Sequence, residues 1–141
     1  MTALSKVFKA NSESHTKVMS MIDLIDMRFE SIEARYIPKE EWENLPDFMV
    51  ECGNIRAKSI GFSIKEDNVI IAVEYEKGSV MKKHSHPYQE EIITIIEGFI
   101  KERITGKTAK SGQTLHFKKE EIHYIEAKEH TFMIVHCKIS K

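Results

Sequence analysis

The first stretch of the chain lacks both of the residues that most readily break a helix. No glycine occurs before Gly53 and no proline before Pro38, although the whole sequence of 141 residues carries 6 glycines and 3 prolines. Nothing in that region therefore interrupts a helix. Cysteine is also scarce. Cys52 and Cys137 are the only 2 thiols, too few for a disulfide framework in a chain large enough to bury a core. Free, buried thiols in a reducing compartment are expected, hence a cytoplasmic protein. No run approaches the roughly eighteen uninterrupted apolar residues of a membrane span, and Met1 to Ala10 lack the apolar centre of a secretory signal. Neither membrane insertion nor export is expected. Charge of one sign is absent too. Lys and Arg total 21 against 22 acids, which leaves no basic field for counterion-releasing contacts with DNA or RNA, so no nucleic-acid partner is expected.

What is present divides into two segments, residues 1–46 and 47–141. In the first, Val18, Ile22, Ile25, Phe29, Ile32 and Tyr36 recur at alternating spacings of four and three, which places them on one stripe of a helix. Asp23, Asp26, Glu30, Glu33 and Arg35 fall off the stripe. Ser12 or Ser14 can cap the start, and Pro38 stops the run because its ring cannot continue a helix. The pattern predicts an amphipathic helix over 14–36. Its stripe packs either on a barrel, its own or a neighbour's, or along a second copy as a short coiled coil. Either arrangement is compatible with a homodimer. Lys39, Glu40, Glu41 and Trp42 after Pro38 suggest one more helical turn, with Trp42 as a packing anchor.

Beyond residue 46 the pattern is that of strands. Runs rich in β-branched and aromatic residues lie near 48–51, 55–64, 68–76, 91–97, 99–105, 113–117, 122–126 and 131–139, separated by glycines and turn residues. Many short strands uninterrupted by helices indicate an all-β sandwich or barrel rather than a parallel α/β sheet.

The chemistry concentrates between Gly78 and Gly98, in GSVMKKHSHPYQEEIITIIEG. His84 and His86 stand two apart, so on an extended segment both imidazoles project from one face and can reach one ion. After Pro87, either Glu90 or Glu91 can add a carboxylate. Nitrogen and carboxylate donors together suit Fe, Mn, Ni, Cu or Zn better than Ca or Mg.

This segment resembles the first motif of the cupin superfamily, G-x5-H-x-H-x(3,4)-E-x6-G, at Gly78, His84, His86, Glu91 and Gly98. The second motif, G-x5-P-x-G-x2-H-x3-N, is matched at Gly112 and His123, whereas Lys118, Glu120 and Ala127 replace its proline, glycine and asparagine. The resemblance covers roughly residues 50–140. It implies a double-stranded β-helix, or jelly-roll barrel, with His84, His86, Glu91 and His123 as ligands of a divalent transition metal inside the mouth. Glu91 keeps the six-residue gap to Gly98, with Glu90 as the alternative ligand.

Other residues take lesser parts. His136 shares a strand face with Phe132 and Ile134, so it is a candidate to enter the barrel as an acid, a base or a substrate contact, and Tyr88 is a candidate for the mouth. His116, between Leu115 and Phe117, is expected to face outward. His15 and His130 fit surface positions, and Cys137 fits a core position. Cupins resemble one another across dioxygenases, decarboxylases, isomerases, epimerases, storage proteins and ligand sensors, so the fold alone does not name the function. The resemblance and the ligand set imply a metal-dependent, dioxygenase-like enzyme acting on a small molecule. The alternatives are a non-catalytic ligand-binding or sensing module that oligomerises through its N-terminal helix, and a protein whose metal is a structural staple.

Overall fold

A computed structural model describes residues 42–63 and 68–140 of the chain. The helix expected over 14–36 lies outside these residues. Ten strands follow one another: β1 (Val50–Cys52), β2 (Ile55–Ser63), β3 (Asn68–Tyr75), β4 (Val80–Met81), β5 (Gln89–Glu97), β6 (Phe99–Glu102), β7 (Thr108–Lys110), β8 (Thr114–Phe117), β9 (Ile125–Ala127) and β10 (Thr131–Ile139). Eight of these correspond to the runs expected from sequence. The other two, β4 and β7, have two and three residues, too short to carry an alternating pattern of their own.

The strands form two five-stranded sheets, in the orders β1-β4-β9-β6-β7 and β2-β3-β10-β5-β8. Neighbouring strands are antiparallel throughout. Successive side chains of a strand point to opposite faces, and each sheet turns one set inward. Ile55, Val73, Tyr75, Ile93, Ile95, Ile100, Ile125, Met133 and Val135 fill the space between the sheets. Each such side chain contributes about 1.5–3 kcal/mol on leaving water. The arrangement is a jelly roll.

In the sheet containing β10, strands β3 and β10 are buried on both faces. Asn68, Ile70 and Ala72 of β3, and Phe132, Ile134 and His136 of β10, occupy the face opposite the core and are buried as well. Trp42 meets the same side of β3: it is buried, and its indole N–H donates to Glu74 Oε1 at 2.9 Å. That carboxylate also receives Arg56 Nη1 at 3.1 Å.

Gly98 joins β5 to β6 with φ of +115°. A Cβ built there would lie 2.5 Å from the His130 carbonyl oxygen and 2.6 Å from Thr131 Cα. Both neighbours are backbone and cannot swing aside, so the glycine closing the first motif is required by the close approach of β10 as well as by its dihedral.

Candidate metal centre

The site is built where two distant chain segments cross. His84 and His123 pair as an isolated antiparallel bridge, with His84 N donating to His123 O at 3.1 Å and His123 N donating to His84 O at 2.9 Å. A second tie comes from Glu120, whose N–H donates to the His86 carbonyl at 2.8 Å. Glu120 can do this because it adopts a left-handed conformation, φ +64°. That residue stands where the second motif has glycine. The left-handed position is thus filled by a glutamate, at a conformational cost that glycine would not incur.

Glu91 reaches the same point from β5, where it faces inward with Ile93 and Ile95. His86 Nε2 lies 3.2 Å and His123 Nε2 3.7 Å from Glu91 Oε1, and the Nε2 atoms of His84 and His123 are 2.7 Å apart. One donor atom from each of His84, His86, Glu91 and His123 lies within 4.8 Å of all the others. Donors held at about 2.1 Å from one ion are roughly 3 Å apart when adjacent and roughly 4 Å apart when opposite, so the cluster has the dimensions of a ligand sphere. Glu90 is on the other face of β5, where its carboxylate pairs with His116 Nε2 at 2.9 Å. The alternation of the strand separates the two acids and leaves Glu91 with the histidines.

The protonation pattern also fits a cation. His84 Nδ1 lies 2.6 Å from the Lys82 carbonyl oxygen. A carbonyl only accepts, so Nδ1 carries the hydrogen and Nε2 presents its lone pair to the cluster, as metal-binding histidines do. Burial pulls the His123 pKa down to about 3, with help from His84 and His86, and burial together with His84 lowers that of His86. Burial pushes Glu91 up to about 7 even though a hydrogen bond from Gln89 acts to lower it. Two imidazoles held neutral around a carboxylate whose charge is disfavoured form a donor set that a divalent cation would satisfy. The backbone bridge to His84 fixes where His123 stands, and its ring packs on Phe117, whose ring centroid is 4.6 Å away.

Behind the cluster lies a cavity of about 260 Å³, lined by the four donor residues, Gln89, Tyr75 and apolar side chains from both sheets. Tyr75 and Gln89 did not stand out in the sequence. Both share an inward strand face with recognisable neighbours, Tyr75 with Val73 and Gln89 with Glu91, and only closure of the barrel turns that periodicity into a cavity wall. Tyr88 and His136, the expected second-sphere groups, do not line the cavity. Tyr88 is 65% exposed. His136 is buried on the outer face of β10, where its Nε2 lies 3.2 Å from Asn68 Oδ1. Sequence alternation did group His136 with Phe132 and Ile134. In a strand buried on both sides, however, it could not say which face was the interior. Cys137 faces inward, and burial, with Glu91 nearby, raises its thiol pKa to about 12, so it is not a thiolate.

No family model matches the sequence, and no curated protein matches it. Solved structures do match the fold. An RmlC-like cupin from Shewanella frigidimarina NCIMB 400 superposes with a TM-score of 0.59 at 14% identity, covering 79% of this chain and 96% of that one. An acetylacetone dioxygenase from Acinetobacter johnsonii gives 0.61 at 15% identity over 76% of this chain and 73% of its own. KdgF from a Halomonas species gives 0.55 at 18% identity over 62% and 80%.

Proposed function

Because this chain has the cupin fold and gathers three imidazoles and a carboxylate at one end of its barrel, we propose that it is a metal-dependent enzyme acting on a small molecule. The reading rests on one observation above others, the convergence of His84, His86, Glu91 and His123 beside a cavity. Mixed nitrogen and oxygen donors select a divalent transition metal, Fe, Mn, Ni, Cu or Zn. Such an ion supplies a Lewis acid for a carbonyl or carboxylate oxygen or, if redox-active, a centre for dioxygen. Dioxygenase-like chemistry is the subclass we favour, supported by likeness of fold to the acetylacetone dioxygenase.

The chain's own residues have definable parts in this scheme. His84 is oriented by the Lys82 carbonyl. Gln89 donates to Glu91 and steadies the charged form needed by a ligand. Apolar walls keep bulk water from the cavity and strengthen electrostatic interactions within it. We also propose that two copies assemble as a homodimer in the cytoplasm, since the apolar stripe of residues 14–36 needs a partner surface. Light scattering at micromolar concentration should return twice the chain mass of 16.4 kDa, and a monomer mass would refute the assembly.

The metal reading is tested by elemental analysis of protein purified without an affinity tag. About one equivalent of a transition metal is expected, lost in both His84→Ala and Glu91→Ala. Retention of the metal in both variants would place it elsewhere. A non-catalytic ligand-binding module is the rival reading, and the departures of Lys118, Glu120 and Ala127 from the second motif favour it. The metal-loaded protein should consume oxygen or release product with a member of a broad substrate panel. Inertness toward the whole panel, with the metal in place, would favour the rival.

A further inference from the structure

The two ends of the barrel differ. Glu91 is opposite Cys137 of β10, and Tyr75 is opposite Thr131 of the same strand. Six residues of extended chain separate these levels by about 20 Å, so the histidine cluster and the Tyr75 backbone mark opposite ends of the barrel. The Tyr75 ring occupies part of that span and lines the cavity. Between the ends the walls are apolar, with Val73, Met81, Ile93, Ile125, Met133 and Val135. Among the described residues that line the cavity there is neither Lys nor Arg.

Tyr75 is 1% exposed, and burial, together with Glu91, raises its pKa far above the ordinary phenol value. It is therefore a neutral donor at any physiological pH. The hydrogen bond found for its hydroxyl among the described residues goes to the Met81 thioether, 3.6 Å away. Sulfur of this kind is a weak acceptor, so a ligand oxygen offering a stronger bond would displace it. A cavity of 150 Å³ holds benzene; by that scale one of about 260 Å³ takes roughly ten non-hydrogen atoms.

We propose that the cavity takes a slender, largely apolar molecule whose end remote from the histidine cluster carries an uncharged oxygen acceptor, and that Tyr75 is the residue that reads this acceptor. A charged group at the remote end would lose its hydration without meeting an opposite charge, a cost that one hydroxyl does not offset. A purely hydrocarbon end would enter but would leave the Tyr75 donor on its thioether. The proposal rests on the metal reading for the other end of the ligand, which lies against His84, His86, Glu91 and His123.

Three benzohydroxamates test it, since they share one metal-seeking end and differ only at the far one: 4-methyl, 4-methoxy and 4-aminomethyl. Affinities are measured by calorimetry on the full-length protein as purified, with metal content determined on the same samples. The 4-methoxy probe should bind about three- to tenfold more tightly than the 4-methyl probe, the range of one net hydrogen bond. The 4-aminomethyl probe, an ammonium ion, should bind at least tenfold more weakly than either. Tyr75→Phe should remove the methoxy preference and leave the 4-methyl affinity unchanged. A preference that survives Tyr75→Phe, or an ammonium probe that binds as well as the methyl one, overturns the proposal. Low metal content with the same order of affinities would instead sink the metal reading and leave the cavity assignment standing.

Discussion

At the scale of single residues, the site shows how a ligand geometry survives the loss of residues that usually shape it. Glu120 takes the left-handed conformation at φ +64° and keeps its N–H on the His86 carbonyl. An L-residue in this region costs about 1–2 kcal/mol, while glycine brings more unfolded-state entropy. Glu120→Gly should therefore stabilise the protein by a net of about 0.5–1 kcal/mol, raising the thermal midpoint by roughly 2–5 °C. Calorimetry showing a lower midpoint than wild type would mean that the glutamate side chain contributes something its exposed position does not reveal. Three of the candidate ligands, His84, His86 and Glu91, were readable in the sequence because each is tied to a short local spacing, His-x-His and a carboxylate before a glycine. The choice of Glu91 over Glu90 then follows from strand alternation.

At the scale of elements, Glu102 binds the turn after β6 to the segment carrying His123. Its carboxylate is fully buried and accepts from Thr105 N at 2.7 Å, Thr105 Oγ1 at 2.9 Å, Ile104 N at 3.1 Å and Tyr124 N at 2.8 Å. Burial acts to raise its pKa, but the bonds from Thr105, Ile104 and Tyr124 outweigh it and hold the group below its ordinary value of 4.5. A carboxylate with a depressed folded-state pKa stabilises the fold above its unfolded pKa and loses that contribution as the pH falls through the folded one. Glu102→Gln should therefore cost about 2 kcal/mol at pH 7, with the gap to wild type narrowing below about pH 4.5. Urea unfolding of both proteins at pH 7 and pH 3.5 measures this, and an equal gap at the two pH values would contradict it. The staple was invisible in the sequence, where Glu102 is one acid among 22. Strand β10 gives the converse case. Its run of β-branched and aromatic residues announced a strand, but seven of its residues in a row are buried, and burial on both faces hid which set pointed inward, and so hid the outward placement of His136.

At the scale of the whole molecule, the bridge between His84 and His123 joins segments 39 residues apart, and a bound ion would lock that junction. Binding to the folded state alone stabilises it by about 4 kcal/mol when free ligand is a thousandfold above its dissociation constant. Stripping the metal with a chelator should therefore lower the thermal midpoint by several degrees or more, and adding the ion back should restore it. A midpoint indifferent to the chelator, in protein shown to have lost its metal, would mean the site contributes nothing to stability. The size of the drop also bears on whether the ion acts as a structural staple, since a staple's loss should cost far more than that of a loosely coupled reactive centre.

The sequence by itself determined the strand-rich class, most strand positions, and the short-range pattern that singles out His84, His86 and Glu91. These are properties of neighbours along the chain, governed by side-chain period and by the few residues that tolerate a turn. His123 was expected with them only through the resemblance to the second motif, and only the tertiary structure decided that Tyr75 and Gln89 line the cavity and that Tyr88 and His136 lie off it. Those outcomes depend on which strands pair and which face each sheet turns inward, and contacts between residues far apart in the chain leave no periodic trace for a single sequence to show.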